Sequence, residues 1–137
     1  TRLVLGSGGA LPVEDPEHHS VDVSGYGNVA EISRLCVRKN FREGNISLGM
    51  YRVLFHIVEV KKIDAVFAIV DQDFYRTIKW IGFPFKQIGQ PKEHMGLTVP
   101  CVCLISDVMP ALHESENANL FGITELFEQP YPGKLLM

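Results

Sequence analysis

Asn28-Val29-Ala30-Glu31-Ile32-Ser33-Arg34-Leu35-Cys36-Val37 alternates along its length. Read as a strand, it puts Val29, Glu31, Ser33, Leu35 and Val37 on one face. Ala30, Ile32, Arg34 and Cys36 take the other. A carboxylate and a hydroxyl thus share a face with apolar neighbours, and solvent exposure alone explains that poorly. Glu31 and Ser33 are therefore candidate site residues. A buried ion pair of Glu31 with Arg34 or Arg2 accounts for the carboxylate equally, and a local backbone bond accounts for the hydroxyl. Arg34 is three residues from Glu31, so a regular strand points it to the opposite face.

Upstream, Arg2 to Leu5 reads as a short strand. Residues 6–27 are rich in Gly, Ser, Pro, Asp and His and read as a long loop. Loops beyond ~15 residues are uncommon in compact domains and often carry function. A strand that starts so abruptly implies sequence missing upstream. Downstream, residues 38–45 form a polar turn, and Ser47 is the expected N-cap of a helix over 48–63. Met50, Tyr51, Leu54, Ile57 and Val58 make its buried stripe, and Arg52, His56 and Glu59 its polar face. The continuous apolar run 65–70 predicts a strand covered on both faces. A second helix spans 72–81 and ends at Gly82. Further strands are expected at 83–89 and 97–106, the latter interrupted by Pro100. A last helix covers 108–127 with Pro110 in its first turn. This order predicts one α/β domain, a mixed central sheet flanked by helices.

Composition fits a single folded domain. The 137 residues are 46% hydrophobic and 21% charged, and 13 bases against 16 acids give a net charge of −3. That balance argues against a nucleic-acid partner. No apolar run reaches the ~20 residues that span a bilayer, and residues 1–5 do not read as a signal peptide. The charge is unevenly spread. Residues 34–62 hold seven bases and two acids, a basic island able to steer an acidic partner or hold a phosphate. Three cysteines without CxxC spacing exclude a disulfide framework and a structural zinc site. Cys101 and Cys103 share a strand face and read as small core residues. A reducing, cytoplasmic setting follows. His18 and His19 lack the partners of a metal site, and His94 reads as a loop histidine.

Four segments carry a resemblance: Glu31-Ile32-Ser33-Arg34; Ser47-Leu48-Gly49-Met50-Tyr51-Arg52; the apolar strand to Val70; and Trp80-Ile81-Gly82-Phe83. Together they resemble the N-acyl-homoserine lactone (autoinducer) synthases, and more closely the long-chain N-acyl amino acid synthases. Both have the Gcn5-related N-acyltransferase fold. The resemblance runs from Arg2 to about Ser106. It implies that the upstream elements of the fold are lacking here and that the chain is the C-terminal two-thirds of a longer domain.

Acyl transfer from a thioester to an amine needs a base for the amine, donors for the carbonyl oxygen and an exit for the thiolate. The resemblance puts a catalytic glutamate at Glu31, and apolar neighbours should raise its pKa. Ser33 is placed to bond the pantetheine or the acyl carbonyl, while Arg34 orients neighbouring loops. Backbone N–H groups at Leu35, Cys36 and Val37 are the expected carbonyl donors. The superfamily's pyrophosphate motif survives only in degenerate form at Arg42-Glu43-Gly44-Asn45-Ile46-Ser47-Leu48-Gly49. A donor with one phosphate fits that better, namely the phosphopantetheine arm of acyl carrier protein, and no permanently bound cofactor is implied. Arg38, Lys39 and Arg42 would dock that acidic carrier, with Ser47 at the helix N-terminus near the phosphate. Phe67, Ile69, Phe83, Phe85, Val102 and Leu104, with Ile105, are the expected acyl pocket. Ile78 occupies the position where many superfamily members have a thiolate-protonating tyrosine, and Tyr75 does not replace it. The expected activity is transfer of a long acyl chain to the α-amine of an amino acid. The alternatives are N-acyl-homoserine lactone synthesis from S-adenosylmethionine and a non-catalytic acyl-binding domain.

Overall fold

The computed structural model describes residues 2–16, 19–33, 46–93 and 96–129. Strands β1 (Arg2–Leu5) and β2 (Val29–Ser33) precede helix α1 (Ile46–Val60). Next come β3 (Ala65–Asp71), α2 (Gln72–Ile81), β4 (Phe85–Gln87), β5 (Lys92–Glu93) and β6 (Leu97–Leu104). Three short helices close the described chain: α3 (Val108–Glu114), α4 (Glu116–Leu120) and α5 (Ile123–Glu128). The strands form one mixed sheet in the order β1-β2-β3-β6-β4, with β5 also on β6. Only β2 and β3 pair in parallel among them, with α1 as their crossover.

β3 is the central strand, and its apolar run is buried on both faces as expected. Val66 belongs to a core with Phe55, Val58, Cys103, Leu112 and Phe127 under the helices. Ala65 and Phe67 belong to a second core with Leu11, Val13 and Val102. The long segment 6–27 closes that second face. It holds two 3₁₀ turns, Gly6–Gly8 and Pro12–Glu14. Leu11 and Val13 lie fully buried against the sheet, and Tyr26 meets Phe67 edge-on at 5.1 Å.

Some expectations change. α1 starts at Ile46, so Ser47 is its second residue and not its N-cap. Arg52 is buried, not on a polar face: its Nη2 donates to the Gln129 carbonyl at 2.9 Å, at the C-terminus of α5. Pro100 does not interrupt β6. Its carbonyl accepts from Ile88 N–H, so its missing N–H also faces away from β3 and removes no bond with Ile69. The region 108–127 is three helices, because Ser115 caps α4 through Ala118 N–H and Gly122 takes a left-handed φ of 72° before α5.

α2 matches its expected limits. Asp71 caps it by accepting from Phe74 N–H, and Gly82 ends it at φ 115°. A Cβ at Gly82 would run into the Ser115 side chain, whose hydroxyl donates to the Ile81 carbonyl. Gly82→Ala is expected to cost about 1–3 kcal/mol of unfolding free energy, read as a lower urea midpoint with unchanged slope.

Candidate active site

The parallel ladder between β2 and β3 runs from Val29–Ala65 to Ile32–Ala68 and stops. Both strands continue. Ser33 is still paired with Arg2 of β1, and Ile69, Val70 and Asp71 are still paired with β6. The described part of β2 ends one residue past the last pair, at Ser33.

Glu31 sits one residue before the last described β2–β3 pair, on the face packed by the described part of segment 6–27. It is 2% exposed, and its Oε1 accepts the Val13 N–H at 2.7 Å. Glu31 thus anchors the covering segment to the sheet. Ser33 shares its face and is half-buried. Arg34, Leu35, Cys36, Val37, Arg38, Lys39 and Arg42 lie outside the described residues, as does the Ser47 side chain. His19 is on the Glu31 face too, with Nε2 3.3 Å from the Thr98 hydroxyl. Among the described residues no cluster suits a metal ion.

The opposite face carries an apolar cavity of about 80 Å³. Ile32, Ala68 and Val70 line it beside the last described β2–β3 pair. Tyr51, Leu54, Phe55 and Val58 of α1 form its roof, with Phe74 and Ile78 of α2. Phe83, Phe85, Cys103, Ile105, Val108 and Phe127 complete it. Of the expected acyl-pocket residues, Phe83 and Phe85 are here, with Ile105. Phe67, Ile69 and Val102 pack on the other face, and Leu104 is 37% exposed. The division follows from strand alternation: Val66, Ala68 and Val70 face the helices, so Phe67 and Ile69 cannot. Tyr51, Leu54 and Val58 belong to the expected buried stripe of α1, whereas Phe55 is not among its expected residues.

Among the described residues, polar groups on the helical face are few. Burial pushes the thiols of Cys101 and Cys103 up to about 12, so both remain protonated at neutral pH. Burial also raises the Tyr51 hydroxyl. Tyr75 is committed to β4, its hydroxyl accepting Gln87 N–H at 3.1 Å. Ile78 is a buried wall residue.

The family model of the N-acyl amino acid synthase FeeM matches residues 16–107, which include β2, β3 and most of the cavity lining. The chain belongs to the N-acyl amino acid synthase family. No curated protein matches it. A solved structure of a CoA-dependent acyl-homoserine lactone synthase, BjaI, with SAM and isopentyl-CoA, shares the fold with a TM-score of 0.55 and 17% identity. The match covers 75% of this chain and 44% of that one, so the chain spans less than half of that synthase. No described helix is long and apolar enough to cross a membrane.

The Glu31–Val13 contact has a measurable consequence. Glu31→Leu leaves a buried N–H without its acceptor and should cost about 1–3 kcal/mol. Glu31→Gln keeps an acceptor oxygen and should cost under about 1 kcal/mol. Urea unfolding of the two variants against the unaltered chain measures both.

Proposed function

We propose that this chain carries the acyl-transfer site of an N-acyltransferase. It moves a long-chain fatty acyl group from acyl carrier protein to the α-amine of an amino acid. The observation that supports this reading best is the apolar cavity on one face of β2 and β3, with Glu31 and Ser33 on the other face. In this proposal the two strands part beyond Ile32 and Ala68, and a thioester between them sends its chain into the cavity and meets the amine from the opposite face. The amine nitrogen attacks the carbonyl carbon, the C–N bond forms, and the C–S bond breaks to release thiolate. The amine proton goes to Glu31.

In this proposal Glu31 first exchanges the Val13 N–H for an N–H of the incoming amine. Ser33 bonds the pantetheine arm, and Arg34 orients the surrounding segments. The N–H groups of Leu35 to Val37 stabilise the carbonyl oxygen. Arg38, Lys39 and Arg42 attract the acidic carrier, and Ser47 stands near its phosphate. No permanently bound cofactor is required, and the reaction belongs in the cytoplasm. The present cavity takes only the first carbons of a chain, so a long one needs Phe55, Phe83 or Phe127 to change rotamer.

One experiment tests this. The chain is incubated with acyl-carrier-protein or acyl-CoA thioesters and either an amino acid mixture or S-adenosylmethionine, and products are identified by mass. N-acyl amino acid from the carrier thioester is the expected outcome. A homoserine lactone product would favour the second reading, and donor binding without product would favour an acyl-binding domain. Glu31→Gln should lower kcat by about 10²–10⁴-fold. Unchanged turnover in that variant would leave Glu31 as an anchor of the covering segment alone.

A further inference from the structure

Among the described residues, the three most exposed large hydrophobic side chains are Leu120 at 77%, Phe121 at 61% and Trp80 at 56%. Trp80 lies in the last turn of α2, and Leu120 and Phe121 close α4. The Trp80 and Phe121 rings meet at 5.8 Å, so the patch is held across two helices. At ~200 Å² for a large side chain, it exposes about 400 Å² of hydrocarbon. A stable protein interface takes about 800 Å² from each partner, roughly twice that.

The backbone beneath the patch is already paired. The Trp80 carbonyl accepts from Asn117 Nδ2 at 2.8 Å, and the Ile81 carbonyl accepts from the Ser115 hydroxyl. Phe121 N–H donates to the Asn117 carbonyl at 3.1 Å and Gly122 N–H to the Asn119 carbonyl at 3.3 Å. Asn119 Nδ2 serves the carbonyls of Leu112, His113 and Ser115. Helix ends ordinarily leave such groups to water. A protein partner makes about one hydrogen bond per 100–200 Å² of contact, and these groups are already spent. A lipid surface asks for the opposite, that backbone polar groups be satisfied within the protein. Arg76 and Lys79 of α2 are balanced by Asp73 and Glu116, with Arg76 3.3 Å from Asp73, so these four give no net charge to draw anionic headgroups.

We propose that Trp80, Leu120 and Phe121 form an interfacial anchor that seats the chain on a zwitterionic lipid surface. Tryptophan settles at the headgroup level, and leucine and phenylalanine reach the acyl boundary below it. Phe74 and Ile78 of the same α2 line the apolar cavity, so the cavity lies behind the anchor. This inference goes beyond the acyl-transfer reading and does not depend on it.

The test uses the full chain with Trp80, its one tryptophan, as the probe. Phosphatidylcholine vesicles should shift its emission to the blue and carry the protein upward in flotation. Half-binding is expected at roughly 0.1–1 mM lipid, the weak, reversible range of a single anchor. Vesicles with brominated acyl chains should quench the emission. Leu120→Glu, at the most exposed position, should raise the lipid needed by about tenfold or more, with an unchanged far-ultraviolet dichroism spectrum. No shift and no flotation would overturn the proposal. A blue shift that needs no lipid and follows a doubling of mass would also overturn it, by placing a second copy on the patch. So would binding confined to anionic vesicles without quenching of Trp80, or binding that Leu120→Glu leaves unchanged. Vesicle binding is read without turnover, so it stands or falls apart from the acyl-transfer reading.

Discussion

The register of β3 against its two neighbours organises everything near the site. β3 pairs with β2 from Ala65 to Ala68 and with β6 as far as Asp71. β1 holds β2 from outside as far as Ser33. Asp71 then caps α2, which fixes the end of β3 against a helix as well.

That register also decides what each face can do. The helical face offers Ala68, Val70 and Ile32 to the cavity, so a hydrocarbon is the ligand it can take without cost. The other face offers Glu31 and Ser33. A buried carboxylate is costly unless hydrogen-bonded, and the Val13 N–H meets that need in the described state. The same bond pins the 3₁₀ turn Pro12–Glu14 onto the sheet. Glu31 therefore couples the cover of its face to the occupancy of its own oxygens.

Much of this was legible where one residue type had one explanation. β3 was readable because an unbroken apolar run needs cover on both sides. α2 was readable because Gly82 marks its end chemically, and the structure adds the Asp71 cap at its start. The pairing of Glu31 with Ser33 on one face follows from alternation and holds. The same apolar run hid the assignment of faces: every side chain from Ala65 to Val70 is apolar, so composition could not say whether Phe67 or Ala68 borders a cavity. Arg52 looked like surface because its partner, the Gln129 carbonyl, is far along the chain. The break at Ser115 was hidden because a serine inside an otherwise helical pattern does not announce that its hydroxyl bonds the end of α2.

The two faces also bear on how a thiolate could leave under the proposed reaction. The helical face holds no ready acid among its described residues. Cys101 and Cys103 keep their protons to about 12, burial raises Tyr51, and Tyr75 is engaged with β4. A thiol has an ordinary pKa of about 8.5, so its anion is far more stable near neutrality than the anion of an amine. The C–S bond can therefore break without a proton donor, whereas the ammonium cannot attack without a base. The demand for acid–base chemistry then falls on the acceptor side alone. That asymmetry matches a site with a carboxylate on one face of the sheet and hydrocarbon on the other.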